Sequence, residues 1–391
     1  MQEVWIRGAA MTRFGKHVDR SARDMVEEAV AAALRDAELE PRDVEAAFVG
    51  NAAAGLIGGQ ESIRGQVVLR RAGLVGVPVV NVENACASSS TALHVGWQAV
   101  AGGARDCVVV VGYEKIDHRD PARSSRAVNA TMDMTELADL FGPLAGEERN
   151  VFADGLAATF SGDGRDPFDA ELLALVSVKN HCHGALNPWS RYREAVSTEQ
   201  VLRSRTVAGP LTKMMCAQLS DGAACLVLCS ATHRRARSGG VRIAASVLSS
   251  GRGDDMRRPF GVGLTARRAY EIAGLGPEDL DVVELYDATS LSEVQLYGEL
   301  GLCPPEDAAR LVRDRVTWLG GRLPVNPSGG LLARGHPPGA TGAAQVVELA
   351  WQLEGRCGAR QVPAARIAMA EITGGWVGSD VAACCVHVLD V

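Results

Sequence analysis

The chain is poor in aromatic side chains, which make up 5% of its 391 residues, and only four of its 40 basic residues are lysine. A core with so few rings is filled by aliphatic, Ala and Gly side chains, and apolar residues reach 47%. That composition suits helices packed closely on sheets. The arginines form no clustered run, and a net charge of −7 with a pI near 5.7 leaves no electrostatic footprint for nucleic acid. No apolar stretch approaches the roughly 20 residues that span a bilayer. The start, Met-Gln-Glu-Val-Trp-Ile-Arg-Gly, lacks the charged-then-apolar order of a signal peptide. Ten cysteines are scattered without a C-x-x-C pair, and Cys107, Cys225, Cys229, Cys384 and Cys385 fall in strand-like apolar runs. Such spacing argues against a disulfide framework or a zinc site. His181-Cys182-His183 lies on one segment, where three adjacent side chains make a poor metal cage. No Gly-rich phosphate loop is present. The expectation is a reduced, cytoplasmic protein with no bound metal, no nucleic acid and no membrane partner.

What the chain does have is a stretch, residues 80–112, around which the rest is organised. A β-branched run (Val79, Val80, Val82) leads through a turn to Cys86, then to small residues opening a helix, and then to a buried strand at 108–111. Cys86 thus falls where a strand hands over to a helix N-terminus, whose unpaired N–H groups favour a thiolate. It is a candidate nucleophile, the alternative being a small buried packing residue.

The length predicts two core units. A first strand at 4–8 precedes a helix at 22–37 capped by Ser21, followed by a Pro41 turn and another strand. The same order returns in the second half: a helix at 265–273, a turn at Pro277, then Asp281-Val-Val-Glu-Leu. Downstream, Cys86 opens a helix leading to the strand 108–111, and Gly335-His-Pro-Pro-Gly-Ala-Thr-Gly opens a helix at 343–353 leading to the strand 367–370. Apolar runs at 223–229 and 381–389 close the two copies. The repeat predicts a duplicated α/β unit with mostly parallel sheets covered by helices, divided as 1–235 and 236–391. It brings Cys86 and His336 to one junction at the carboxyl ends of strands. Residues 114–205 read as an insertion. Its part over 117–166 is polar, like a surface excursion or lid, and 169–184 reads as a helix.

Asn84-Ala85-Cys86-Ala87-Ser88-Ser89-Ser90 together with Gly335-His336-Pro337-Pro338-Gly339-Ala340-Thr341-Gly342 resembles the thiolase superfamily, and most of all its sterol-carrier-protein-type (lipid-transfer) branch. Val178-Lys-Asn-His-Cys-His, Ser220-Asp-Gly-Ala-Ala, Asp281-Val-Val-Glu-Leu and Asn326-Pro-Ser-Gly-Gly match as well, so the likeness runs from residue 6 to about 390. The resemblance implies a duplicated five-layer α-β-α-β-α sandwich with an inserted loop domain, and a homodimer or dimer of dimers. It also implies a cysteine that takes an acyl group from a coenzyme A or carrier-protein thioester, used as substrate with no bound cofactor. An OB-fold accessory protein is among the partners of this branch.

Carried over residue by residue, Cys86 is the nucleophile and His336 its activating histidine, with the N–H of Cys86 or of a glycine near Gly375 as oxyanion donor. Asn326, Ser328 and Gly335 approach the site and are candidates for substrate contact. His183 is a candidate for lining the acyl pocket, a solvated helix face being the alternative. Two positions depart from the family pattern. Where this branch has His-Asp-Cys-Phe, the chain has Tyr286-Asp287-Ala288-Thr289, so that a phenol stands in for a histidine; a tyrosine here also resembles the aldolase-like members. Where the family has a cysteine or histidine three residues before the C-terminal Gly-Gly, the chain has Glu371, which is either a base of raised pKa or merely part of a strand. The expected function is a thiolase-type acyltransferase that forms or cleaves a carbon–carbon bond. The alternatives are a retro-aldolase-like lyase using Tyr286 and a non-catalytic thioester-binding subunit.

Overall fold

The computed structural model describes residues 2–117, 120–135, 168–233, 235–251, 261–378 and 380–391. The expected excursion over 117–166 therefore lies largely outside the described residues. Nine strands form one continuous order: β1 (Val4–Met11), β2 (Ala46–Gly50), β3 (Val79–Val82), β4 (Cys107–Glu114), β5 (Gly222–Ser230), β6 (Val241–Ser249), β7 (Val282–Glu284), β8 (Ile367–Val377) and β9 (Asp380–Asp390) are arranged as β3-β2-β4-β5-β1-β6-β9-β8-β7. Without β3, the first half reads β2-β4-β5-β1 and the second β7-β8-β9-β6, the same order of equivalent strands. The halves meet edge to edge where Trp5 and Ile6 pair with Arg242 and Val241.

The expectation of mostly parallel sheets is corrected. Only β2/β3, β2/β4 and β7/β8 are parallel, and the other five neighbours run antiparallel. Each half closes on a strand, β5 or β9, that enters between two others against their direction. Local periodicity cannot reveal that choice.

Six main helices cover the strands: α1 (Ala22–Asp36), α2 (Ser88–Ala101), α3 (Ala170–Ala185), α4 (Gly261–Ala273), α5 (Ser290–Glu299) and α6 (Pro338–Leu353). Helix α1 starts in a capping box, Ser21 and Asp24 exchanging side-chain and backbone bonds. It packs on β1 and β5 and α4 on β6 and β9, while α2 and α6 lie between the two half-sheets. This gives the α-β-α-β-α layering of a thiolase-like sandwich. All sixteen residues of α6 are buried. Helix α6 begins at Pro338, five residues before the apolar run that marks it in the sequence, because Pro is pre-organised for a first helical turn.

The scarcity of large side chains has its physical reason here. A Cβ on Gly112 would lie 2.5 Å from Ser89 Cβ and 2.6 Å from Gly339 O. One on Gly342 would lie 2.7 Å from Ser90 Cβ. Strand β4 and helices α2 and α6 therefore approach to backbone contact, which only Gly, Ala and Ser permit.

Charges are buried in this small-residue core as matched pairs. Arg334 Nη1 lies 3.1 Å from Glu284 Oε2, and the Arg360 guanidinium holds both Glu348 oxygens at 2.9 Å. Breaking one partner leaves an uncompensated buried charge. Arg334→Met is expected to lower stability by about 3–5 kcal/mol, measured as a fall in the urea midpoint at neutral pH; an unchanged midpoint would show that the pair contributes nothing.

Candidate active site

Cys86 sits in a 3₁₀ turn, Ala85–Ala87, between β3 and α2. The turn is tight and strained: Ala85 has φ +47, a left-handed conformation unusual for a residue with a Cβ. Side chains hold it there, with Ala85 N donating to Glu83 Oε1 at 2.7 Å and Ser88 Oγ donating to Ala85 O at 2.6 Å. From the other half, the loop before α6 brings His336. Its Nε2 lies 3.3 Å from Cys86 Sγ across 250 residues of sequence.

The second ring nitrogen fixes the tautomer. His336 Nδ1 is 2.8 Å from Thr341 Oγ1, whose own hydroxyl proton goes to Pro337 O at 3.0 Å. Thr341 must therefore accept from Nδ1–H, which leaves the Nε2 lone pair facing the thiol. Thr341 lies inside the quoted Gly-His-Pro motif, five residues after the histidine, yet the motif alone gives no hint of this role.

Burial sets the resting charges. It pushes the Cys86 thiol up to about 12, against a hydrogen bond from Tyr286 that favours the thiolate. Burial, with Arg334 nearby, pulls His336 down to about 3. Burial works against the thiolate that the helix end favours. Cys86 precedes α2 in a separate turn and is only 8% exposed, and its desolvation outweighs the dipole. The resting pair is a neutral thiol and a neutral imidazole.

Tyr286 follows β7. Its ring stands edge-on to His336, centroids 5.7 Å apart, and its phenol lies by the Cys86 thiol, where it favours the thiolate. Its backbone N donates to Glu371 Oε2 at 3.0 Å. Glu371 is fully buried in β8 under this loop, and among the described residues Oε1 has no hydrogen-bond partner. Burial raises it to about 8.

Cys86, Tyr286, His336 and Gly375 line one cavity of about 100 Å³, together with Cys216, Ala217, Leu219, Thr289, Thr373 and Trp376. Glu371 is not among the lining residues: it supports the Tyr286 backbone rather than facing the cavity. Gly375, at φ +69, lets β8 pass where a Cβ would lie 2.6 Å from Thr131 O.

The other sequence candidates gather behind the cavity. Asn326, at φ +53, accepts from Leu285 N through Oδ1 and donates to Glu293. Ser328 donates to Glu284 through both N and Oγ. Gly335, at φ +105, leaves no room for a Cβ beside Ser220 Oγ. His183, on α3, is buried rather than solvated. Its Nδ1 donates to Asn326 O and its Nε2 accepts from Leu319 N, so both ring nitrogens are used within the fold. These four residues support the loops that carry Tyr286 and His336, and none of them lines the cavity.

The layering and the paired turns place the chain among duplicated α/β sandwiches whose site lies at the seam between the copies. The chain belongs to the thiolase family. Residues 4–232 match the thiolase N-terminal domain and residues 248–386 the thiolase C-terminal domain-like model. It is 38% identical over 391 residues to an acetyl-CoA acetyltransferase of Methanothermobacter thermautotrophicus, covering 97% of this chain and 98% of that protein. It is 34% identical to the benzoylsuccinyl-CoA thiolase subunit BbsB of Thauera aromatica, covering 96% and 95%. It is also 34% identical to sterol carrier protein 2 of Oryctolagus cuniculus, covering 94% of this chain and 69% of that protein. Among solved structures, the Ltp2-ChsH2(DUF35) aldolase superposes with a TM-score of 0.81 at 23% identity, covering 100% of this chain and 98% of that one. Human mitochondrial 3-ketoacyl-CoA thiolase superposes with a TM-score of 0.72 at 16% identity, covering 100% and 99%. Both likenesses establish the shared fold.

A neutral resting pair has a measurable signature. Alkylation of Cys86 by iodoacetamide, followed by peptide mass mapping, is expected to accelerate about tenfold per pH unit from pH 7 to 10 without levelling, because only the thiolate reacts. A plateau near neutral pH would instead reveal a preformed thiolate–imidazolium pair.

Proposed function

We propose that the chain is a thiolase-type acyltransferase: Cys86 takes an acyl group from a coenzyme A or carrier-protein thioester, and a carbon–carbon bond next to a thioester carbonyl is then made or broken. The observation that carries this reading is the 3.3 Å contact between Cys86 Sγ and an unprotonated His336 Nε2, oriented by Thr341. As sulfur attacks the thioester carbonyl, the thiol proton moves to Nε2. The departing coenzyme A thiolate takes that proton, and the acyl group remains on Cys86. The imidazolium is transient because its buried setting disfavours it. The Tyr286 hydroxyl lies against the same sulfur and steadies the charge that develops there, and the Cys86 backbone N–H or a glycine near Gly375 serves the oxyanion.

Several further features belong to the proposal. They are a homodimer or dimer of dimers, a cytoplasmic location, the division at 235/236 and an OB-fold accessory protein. A second reading is favoured by Tyr286, whose hydroxyl stands in the cavity beside His336. In this reading the chain is a lyase for β-hydroxyacyl thioesters, in which the phenol does the acid–base work and Cys86 is dispensable.

Intact-protein mass spectrometry after incubation with a panel of acyl-CoAs separates the two. The acyltransferase predicts an acyl adduct on the wild type and none on Cys86→Ala. With His336→Ala, acylation is expected to slow by about 10²–10⁴-fold, the usual contribution of a positioned base. No adduct across the panel, or full turnover by Cys86→Ala, would sink the acyltransferase.

A further inference from the structure

Making or breaking a carbon–carbon bond beside a thioester requires a proton to leave or reach the α-carbon. The pair that handles the acyl group is already committed, His336 being bonded on both ring nitrogens and the Tyr286 hydroxyl engaged with Cys86. Glu371 does not line the cavity. Among the described residues, four titratable side chains do: Cys86, Tyr286, His336 and Cys216. Among the described residues no hydrogen-bond partner holds the Cys216 side chain, and burial keeps it a thiol.

Cys216 is placed by backbone pairing from both catalytic loops. It forms a β-bridge with Thr289, and Ala217 N donates to Ala288 O at 2.9 Å, which ties it to the Tyr286 loop. Two residues on, Gln218 O accepts from His336 N at 3.0 Å, and Ser220 N donates to His336 O at 3.0 Å. A single strap, residues 216–220, thus clasps the loops that carry Tyr286 and His336 and turns a second thiol into the cavity between them.

We propose that Cys216 is the acid–base group for the substrate α-carbon, a catalytic role distinct from the nucleophile. The inference rests on the acyl-transfer reading above. In the cleavage direction, Cys86 sulfur adds to the 3-oxo carbon while its proton moves to His336. The bond between C2 and C3 breaks with its electron pair on C2, and the Cys216 S–H proton goes to C2. The first product leaves as a thioester, and the Cys216 thiolate takes the proton that His336 briefly holds. An incoming coenzyme A thiol gives its proton to His336, and its sulfur attacks the acyl group on Cys86. Cys86 departs and recovers its proton from His336. A 3-oxoacyl thioester and coenzyme A have become two acyl thioesters, and both cysteines are thiols again. A thiol that burial keeps weakly acidic suits the task, because it leaves a strong base able to recapture a proton from carbon or from His336.

The two half-reactions can be read separately on the whole protein. With acetyl-CoA in D₂O, the wild type is expected to incorporate deuterium at the acetyl methyl group and to form the Cys86 adduct. Cys216→Ala is expected to lose deuterium incorporation by about a hundredfold or more while the adduct still accumulates, and Cys216→Ser, which keeps the shape with a far weaker acid, is expected to behave alike. Unchanged incorporation in either folded variant would overturn the assignment, as would a wild type that forms the adduct without exchanging. A wild type that forms no adduct would overturn the acyl-transfer reading first, so the two failures are distinguishable.

Discussion

Everything at this site depends on how closely two backbones approach. Strand β4 and helices α2 and α6 touch where Gly112, Ser89, Gly339 and Gly342 meet, and a single extra methyl group at any of the three glycines would collide with its neighbour. Because no large side chain separates the halves, the turn before α2 and the turn before α6 face each other at hydrogen-bond distance. Glu114 fastens this seam. Its carboxylate accepts from Asn51 Nδ2, from Ala53 N and, across the seam, from Gly339 N in the first turn of α6. The poverty in aromatics seen in the sequence is thus a condition of the site as well as a property of the core.

The same close packing governs protonation. A seam built this way is deeply buried, so charge is costly there, and burial favours the neutral form of both members of the Cys–His pair. The buried groups that do carry charge stand behind the cavity in matched pairs, such as Arg334 with Glu284 and Lys179 with Glu293. Asp287, which shares the Asn180 amide with Glu293, accepts from Leu331 N and Leu332 N and so joins the Tyr286 loop to the segment leading into Gly335-His336. The result is a site whose nucleophile becomes charged only as substrate arrives, when the proton has somewhere to go.

How much of this the sequence reveals follows from whether a signal is local. The strands, the capped helix α1 and the turns bearing Cys86 and His336 are legible because each is written in a few adjacent residues, and the internal repeat points to their meeting. Strand direction is not legible, because the placement of β5 and β9 between strands that run the other way leaves no local mark. Asn326, Ser328, Gly335 and His183 were recognisable as belonging near the site. Their side chains, however, turn towards Glu284, Glu293 and the backbone, an orientation set by tertiary packing. Glu371 shows the limit most sharply: the count back from Gly374-Gly375 singles it out, but only the position of Tyr286 N explains its direction. Cys216 carried no signal, since a strap that pairs with two distant loops has no sequence signature.

The low proton affinity of His336 limits what one dyad can do. An imidazole with a pKa near 3 accepts a thiol proton only while a leaving group waits to receive it, so it cannot store that proton through a second, slower event. Acyl transfer needs only the transient visit. Chemistry at an α-carbon needs a proton held ready before the bond breaks and a base that persists after it. Those requirements oppose each other within one group, and a buried neutral thiol meets the second where a buried imidazole meets the first. A cavity carrying both, with each loop clasped to the other by residues 216–220, can divide the two proton transfers between separate groups without exposing either to water.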